Sequence, residues 1–438
     1  MAILSRQASS QIGPSSIQPR AIAHLSQLPR RTEQKLSNGN GRRTPTLWLA
    51  LLLVLLLLLP AWTSFYVGSL RLTAYRVLLL TTFIPSVTAL FSGRIGKVLW
   101  CDWLMMLHVV WAALALGVVH DFGTAIQSGG IYAIEAFGAY LLGRWCVRSV
   151  TDMRAVILLS TCVVIALAVF TVPESVTGKH ILNPQAVSIG RRLGLERAYG
   201  PFEHPILYGV FCASAIGFSW YILAPGAGRS MQLLRMLLII LSTAMSVSSG
   251  AMAAMMTQFI IIVWEECTRK MRRRWKVFAS IWICLYVFVS IFSNRPPLTV
   301  ALYYLTFSPE TAYGRIIIWD GGMESIQAHP IFGIGFNDWN HPTWMSGSMD
   351  NFWLYTAVAY GVMGFIGIGG AALYIARHLA RLRNAGPAVL RARMGWMISV
   401  AGLSSAACTV HFWNSLFVYF CLLLGTGVWM AERSTLSE

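Results

Sequence analysis

The stretch Thr311-Ala-Tyr-Gly-Arg315-Ile-Ile-Ile-Trp319 is followed by Ala328-His329-Pro330-Ile-Phe-Gly-Ile-Gly335 and then by Asp338-Trp339-Asn340-His341-Pro342. All three lie in residues 294–350, a segment between long apolar runs that is too polar to span a membrane. Connections of this length are usually functional or disordered, and this one is too aromatic to be disordered. We therefore expect residues 294–350 to contribute to any active site of the protein.

The rest of the chain consists mainly of apolar runs. Of its 438 residues, 56% are hydrophobic and 12% charged, and the mean hydropathy is +0.60. Soluble domains carry about 25% charged residues. About twelve runs approach the ~17–25 residues of a transmembrane helix, namely 47–67, 73–91, 98–119, 130–146, 155–172, 202–224, 233–249, 250–264, 277–293, 351–376, 395–409 and 412–431. The sequence predicts an all-α polytopic membrane protein with about 12 transmembrane helices.

These runs divide the chain into four parts. They are a disordered, basic tail at 1–45, transmembrane helices one to nine at 46–293 with an outer loop at 173–201, a large periplasmic loop at 294–350, and helices ten to twelve at 351–438. Within the large loop, the apolar positions of residues 311–328 predict an amphipathic helix along the membrane surface.

The net charge of +17 is explained by where the basic residues lie. They cluster in the tail, after the eighth predicted span and after the tenth, which all fall on one side of the membrane. This is the positive-inside pattern, so the sequence predicts that both termini are cytoplasmic. A basic surface that faces anionic lipid headgroups requires no nucleic acid as a partner.

Arginines on the outer side are the exception to that pattern. Arg191, Arg192 and Arg197 lie close together before a span, and Arg315 lies on the amphipathic helix. Each alone could contact lipid phosphates or pair with a neighbouring carboxylate. As a set they suit a pyrophosphate, because each guanidinium can hold two phosphate oxygens and a low dielectric strengthens the attraction.

The outer segment also contains candidates for acid–base chemistry and for sugar binding. Asp350 is suited to cap the helix that follows it or to act as a general base. His341 is an alternative base, and packing is an equal possibility for it. Trp339, Trp344 and Tyr313 could stack on sugar rings, although Trp and Tyr are also common at membrane interfaces. The pattern contains no metal site, and no cofactor is predicted.

Several motifs, in their order, resemble those of the O-antigen ligase and O-antigen polymerase-like family of bacterial envelope glycosyltransferases. The resemblance covers roughly residues 45–430, and its motifs are Arg197-Ala-Tyr-Gly200-Pro-Phe202-Glu-His204-Pro205, Ser246-Val-Ser-Ser-Gly250-Ala, Gly314-Arg315-Ile-Ile-Ile-Trp319, His329-Pro330-Ile-Phe-Gly333-Ile-Gly335, Asn351-Phe-Trp-Leu-Tyr and Gly361-Val-Met-Gly364.

The resemblance implies a fold of ten to twelve spans in the bacterial inner membrane, with an active site that faces the periplasm. It implies transfer of a glycan from undecaprenyl pyrophosphate to a hydroxyl, without metal or nucleotide sugar. Arg197 and Arg315 match the positions that would hold the pyrophosphate, with Arg191 or Arg192 as helpers. A flippase and a chain-length copolymerase are possible protein partners.

One departure from the family pattern affects the expected reaction. Ligases of this family usually have His-Asn before the span that follows the large loop, whereas this chain has Asp350-Asn351. The departure favours a metal-independent, inverting polysaccharide polymerase, as in exopolysaccharide or O-antigen assembly, with Asp350, His341 and Arg315 as catalytic candidates. The alternatives are a ligase that attaches finished polymer to a lipid or protein, and a secondary transporter, whose charged sites would be expected at mid-membrane.

Overall fold

The computed structural model describes residues 43–68, 70–304 and 309–435, most of which are helical. The helices are α1 Leu47–Leu56, α2 Ala74–Phe91, α3 Trp100–Val119, α4 Phe122–Thr124, α5 Gly130–Ala133, α6 Ala139–Cys146, α7 Val150–Thr177, α8 Pro205–Tyr221, α9 Arg229–Met245, α10 Ser249–Cys267, α11 Arg274–Phe292, α12 Pro297–Tyr304, α13 Pro309–Ala328, α14 Phe352–Arg381, α15 Pro387–Ala407 and α16 Asn414–Thr435. Two π-helical turns, Ala125–Gly129 and Ile134–Gly138, join α4, α5 and α6 into one interrupted helix.

Seven of the described helices are long and apolar enough to cross a membrane, which makes the chain a multi-pass membrane protein. They are α2, α3, α7, α10, α11, α14 and α16. Helical residues also occupy the other five predicted apolar runs, but there the helices are shorter, interrupted by π-turns or less apolar. The count of twelve spans therefore stays a prediction, as does the placement of 294–350 in the periplasm. Most of the tail at 1–45 lies outside the described residues.

The first predicted span, 47–67, is wrong in its second half. Helix α1 ends at Leu56, and a short turn at Ala61–Thr63 leads into strand β1, Phe65–Val67. Strand β1 pairs antiparallel with β2, Leu70–Leu72. After α1 the chain forms a turn at residues 57–59, and Pro60, which has no backbone N–H, prevents the helix from resuming there. Hydropathy alone cannot distinguish this exposed apolar hairpin from the end of a membrane helix.

Helix α16 lies at the centre of the bundle, where nearly all of its residues are buried. It packs against α6, and a Cβ atom added at Gly425 would overlap the carbonyl oxygen of Tyr140. Contact between backbones through glycine is a common way to associate helices in a membrane, where dispersion contacts replace the hydrophobic effect.

Helix α14 is broken at Gly361, whose backbone angles are φ +72° and ψ 174°. The break frees the carbonyls of Val358 and Ala359, which accept hydrogen bonds from the amides of Ile334 (2.9 Å) and Gly335 (3.0 Å). The amide of Val362 in turn donates to the carbonyl of Pro330 at 2.9 Å. Residues 330–335, which we call the docking segment, thus complete the hydrogen bonding of the broken helix.

Trp111 of α3 and His120, the residue that follows α3, hold the docking segment and the adjoining Phe336 from the other side. The indole N–H of Trp111 donates to the carbonyl of Ile331 at 3.1 Å, and the ring stacks on Phe332. The Nε2 atom of His120 accepts the amide of Phe336 at 2.8 Å. The position of the segment before Asp350 is therefore set by two membrane helices, α3 and α14.

Helix α11 differs from the others because none of its residues is buried. Its N-terminal end is attached to α10 by an ion pair between Arg274 and Glu265 (2.7 Å) and by ring contact between Phe278 and Trp264. Beyond Phe278, nearly every side chain is exposed in the isolated chain.

We expect Gly361→Ala to destabilise the protein strongly. The new Cβ would lie 1.9 Å from the carbonyl oxygen of Ile331, and an L-residue at this positive φ adds a strain of about 1–3 kcal/mol. Gly369→Ala in the same helix is the matched control, since its Cβ would meet Phe365 at an ordinary 3.5 Å. Thermal unfolding of the detergent-purified variants measures the difference. Equal unfolding temperatures for the two variants would contradict the break.

Candidate functional site

Two arginines that are distant in sequence meet at the turn between α9 and α10, residues 246–248. The Nε atom of Arg197 donates to the carbonyl of Ser246 at 3.4 Å. The Nη2 atom of Arg315 donates to the hydroxyl of Ser249, the first residue of α10, at 3.0 Å. Val247 has a positive φ of 41°, which is rare for a β-branched residue and typical of functional turns.

The backbone around Arg197 is fixed by the end of α7. The carboxylate of Glu174 accepts the amides of Tyr199 at 2.7 Å and Gly200 at 3.3 Å. The amide of Glu196 donates to the carbonyl of Ser175 at 2.9 Å. The amide of Ala198, two residues further along the chain, donates to the carbonyl of Met245. Hydrogen bonds from the residues before and after Arg197 therefore hold it between the ends of α7 and α9.

Arg197 is a buried cation whose charge is only partly compensated. Its residue is 4% exposed, and among the described residues its Nη2 atom has no hydrogen-bond partner. Burial lowers the pKa of Arg197 to about 10, and the nearby charge of Arg192 acts in the same direction. Because a buried guanidinium without a full set of acceptors costs stability, this position indicates a ligand that supplies anionic oxygens.

Arg315 is contributed by α13 and is half-buried. Besides Ser249, its Nη2 atom approaches the carbonyl of Thr409 at 3.5 Å, in the loop between α15 and α16. Burial lowers the pKa of Arg315, while the carboxylate of Asp350 raises it. The α13 helix predicted at 311–328 thus carries Arg315 to the same place as Arg197.

Asp350 lies within the electric field of both arginines. Burial raises the pKa of Asp350, and Arg315, the hydroxyl of Ser348 and Arg197 lower it, with burial the largest effect. The alternative role of Asp350 as a helix cap is wrong. The cap of α14 is the next residue, Asn351, whose side-chain oxygen accepts the amide of Leu354 at 3.0 Å. The carboxylate of Asp350 is therefore available for a ligand.

The remaining arginines of the predicted set differ in position. Arg192 is half-buried in a tight turn closed by paired hydrogen bonds with Leu195, and its charge lowers the pKa of both Arg197 and Arg315. Arg191 is exposed, and its Nε atom lies 3.7 Å from a carboxylate oxygen of Glu196. Arg192 is therefore electrostatically coupled to Arg197 and Arg315, whereas Arg191 pairs with Glu196.

His341, the alternative base, is bound to a carboxylate outside this cluster. Its Nε2 atom lies 2.9 Å from Asp338, and its Nδ1 atom lies 3.0 Å from the carbonyl of Pro342. That carbonyl and then Asp338 raise the pKa of His341. Neither its hydrogen bonds nor its electrostatic couplings connect His341 with Asp350 or the arginines.

The predicted sugar-stacking residues have different environments. Trp344 and Tyr313 are exposed, and their role stays a prediction. Trp339 is buried, its indole N–H donates to the carbonyl of Gly347 at 2.8 Å, and a Cβ atom at Gly321 would overlap its ring. Trp339 thus supports the loop.

His411 and His204 complete the surroundings of the site, although the sequence assigned them no chemical role. The Nδ1 atom of His411 is buried without a hydrogen-bond partner among the described residues, and its ring lies 4.2 Å from that of Tyr355. Burial lowers its pKa to about 4, so the ring is neutral at physiological pH. His204 caps α8 by accepting the amide of Ile206 at 3.2 Å.

The N-terminus of α10 adds backbone donors to the same place. The first intrahelical bond of α10 runs from the amide of Met252 to the carbonyl of Ser248, so the amides of Ser249, Gly250 and Ala251 precede it. Such amides and the positive end of a helix dipole favour anions. The serine-rich motif at 246–250 was recognised in the sequence, but its proximity to Arg197 and Arg315 depends on the fold.

The described residues include no group of three or more His, Cys, Asp or Glu side chains that could hold a metal ion. What the site offers is three positive side chains, hydroxyl and amide donors, and one half-buried carboxylate, in a chain of membrane-length helices. Residues 234–369 match the model of a family described as O-antigen ligase.

This part of the chain, which is less than half of it, is similar to the O-antigen ligase and polymerase-like family. This confirms the resemblance drawn from the sequence motifs. The matched segment includes Ser249, Arg315 and Asp350 and ends before His411, while Arg197 lies outside it. Members of this family are glycosyltransferase-like enzymes of polysaccharide synthesis. No curated protein matches the chain.

We expect Arg197→Met to raise the thermal stability of the protein and to abolish its response to pyrophosphate. Removal of a buried cation whose pKa is lowered by burial to about 10 relieves on the order of 3 kcal/mol at neutral pH, at ~1.36 kcal/mol per pKa unit. Inorganic pyrophosphate at about 100 times its Kd should stabilise the wild type by about 2.7 kcal/mol.

Thermal unfolding with and without inorganic pyrophosphate tests both expectations. Lys179→Met removes an exposed cation from the same loop and is the matched control, so it should keep the response to pyrophosphate. If pyrophosphate stabilised Arg197→Met as much as the wild type, Arg197 would not be part of an anion site.

Proposed function

We propose that the protein is a polysaccharide polymerase of the bacterial inner membrane that acts on its periplasmic side. It transfers a growing glycan from undecaprenyl pyrophosphate to a hydroxyl of another lipid-linked repeat unit. The observation that carries the proposal is the convergence of Arg197 and Arg315 on one turn, with the half-buried Asp350 in their field. The family match supports the same class of chemistry.

The proposed reaction is a single displacement. The acceptor oxygen forms a bond to the anomeric carbon of the donor glycan while the bond from that carbon to the pyrophosphate breaks, which inverts the anomeric centre. Negative charge develops on the leaving pyrophosphate. Arg197, Arg315 and the amides at the start of α10 are positioned in advance to stabilise that charge, and such preorganised electrostatic stabilisation is usually the largest contribution to catalysis.

Asp350 is the proposed general base. It takes the proton of the acceptor hydroxyl as the new bond forms, a contribution typically worth about 10²–10⁴-fold in rate. Burial raises its pKa and makes the carboxylate a stronger base than that of an exposed aspartate, while Arg315 and Arg197 favour its ionised form. The bilayer confines both lipid-linked substrates to two dimensions, which favours their encounter.

A ligase that attaches finished polymer to another acceptor is the second candidate, because the matching family model is described as O-antigen ligase. Both reactions would use the same arginines, and they differ in the acceptor. A secondary transporter is the candidate from another class.

The profile of lipid-linked and surface glycans in a deletion strain distinguishes these functions. For a polymerase, the wild-type gene restores polymer of high molecular weight, while Arg315→Ala at the same membrane level leaves single repeats. Lys179→Met is the control and should restore polymer. Finished polymer that stays on its lipid carrier would indicate a ligase, and an unchanged profile in the deletion strain would exclude both transferases.

The pH dependence of polymerisation in isolated membranes tests the base. Asp350 acts when deprotonated, and burial raises its pKa above the ordinary value of ~3.9 for an aspartate. We therefore expect the rate to fall on acidification at a higher pH than an ordinary aspartate would cause. Asp350→Asn should lower the rate about 10²–10⁴-fold and remove this acid limb. An acid limb that persists in Asp350→Asn would assign the base to another group.

A further inference from the structure

A recess lies beside the docking segment, next to the candidate site. It has a volume of about 410 Å³, within the range of roughly 300–1,000 Å³ that is usual for small-molecule sites. Its wall includes Met349, the residue before Asp350, and Tyr355, whose ring contacts His411. The residue that precedes the proposed base in the chain therefore lines the recess.

The walls of the recess are formed in advance by backbone hydrogen bonds. The amides of Ile334 and Gly335 donate to carbonyls of α14, and the amide of Phe336 donates to His120, the residue that follows α3. Binding sites held by such rigid elements need little reorganisation when a ligand arrives.

The side chains of the recess have the chemistry of a carbohydrate site. Phe336 is 51% exposed, and one face of its ring stacks on His120 at 5.7 Å between centroids, which leaves the other face for a ligand. The negative face of an aromatic ring attracts the weakly positive C–H groups of a sugar ring. Asn337 provides an amide, and Asp338 provides a carboxylate that is 67% exposed and can accept two hydroxyl protons.

His341 fixes the carboxylate of Asp338 from behind. Its Nε2 atom lies 2.9 Å from Oδ2 of Asp338, and the ring packs against the buried Trp339. A Cβ atom at Gly347 would lie only 2.8 Å from Oδ1 of Asp338, so the absence of a side chain there allows the carboxylate its position. His341 therefore has a positioning function in the recess and is remote from the proton transfer at Asp350.

We propose that this recess binds the acceptor glycan through a neutral sugar with neighbouring hydroxyl groups. The proposal rests on the proposed transferase function and adds the location and chemical class of the acceptor. The donor glycan is attached to the pyrophosphate and hence lies at the arginines, whereas an acceptor hydroxyl has to reach Asp350. The carboxylate of Asp338 selects against uronic acids, because two like charges repel each other at short distance.

Calorimetric titration of the detergent-solubilised full chain tests the recess without requiring turnover. The probe is the neutral oligosaccharide fraction obtained by partial acid hydrolysis of surface polysaccharide from the source cells, which carries no pyrophosphate. We expect Phe336→Ala and Asp338→Asn each to weaken its binding about tenfold or more, and Arg315→Ala to bind it like the wild type. Inorganic pyrophosphate should show the opposite pattern.

Two matched controls on the described surface should bind the oligosaccharide normally. Asp320→Asn removes an exposed carboxylate from α13, and Phe122→Ala removes an exposed phenylalanine at the start of α4. For His341, the conservative His341→Gln keeps a donor for Asp338 and should preserve binding, whereas His341→Ala should weaken it without lowering the unfolding temperature.

Three results would overturn the proposal. They are normal oligosaccharide binding by Phe336→Ala and Asp338→Asn, equal losses in the two controls, and absence of oligosaccharide binding by the wild type. Each leaves the transferase function to be judged separately by the glycan profile of the deletion strain. If that profile were unchanged while the recess bound oligosaccharide, the transferase function would fail and a glycan-binding role of the recess would stand.

Discussion

A peptide group without a hydrogen-bond partner costs several kcal/mol in hydrocarbon, and this constraint determines how the non-helical segments of the protein are held. The break of α14 at Gly361 leaves carbonyls without helical partners, and the docking segment supplies the missing donors. The amide of Ala198 bonds to the end of α9, and that of Phe352 bonds to the loop before α16. Irregular backbone occurs here where membrane helices can complete its hydrogen bonding.

The same constraint explains why the candidate site forms where it does. The segments that satisfy backbone groups also carry side chains into place, so Arg197 lies in the irregular segment whose next residue, Ala198, bonds to Met245. Arg315 reaches the start of α10 from α13. Among the described residues, Asp350 is the carboxylate that is coupled to both arginines, and it neutralises the positive charges gathered there incompletely. An arrangement of this kind sacrifices stability for the ability to bind an anion.

Sequence patterns predicted the helical class and the family resemblance because these depend on composition, periodicity and local motifs. They could not assign partners, since contacts between distant residues depend on packing. Asp350 and Asn351 are both good caps by residue type, and only the backbone geometry shows that Asn351 takes that role. The pairing of His341 with Asp338 was likewise open, because a histidine beside aromatic residues suits packing and catalysis equally well. The hairpin at Phe65–Leu72 was missed because its exposed strands are as apolar as a span.

Helix α11 gives the bilayer an influence on the geometry of the site. Without buried side chains, α11 derives little orientation from protein contacts beyond its attachment to α10. The tilt of such a helix is set by the hydrophobic thickness of the membrane and by interfacial anchors such as its own Trp275. The chain continues from α11 through α12 into α13, so a thicker or thinner lipid layer acts, through the angle of one helix, on the position of Arg315.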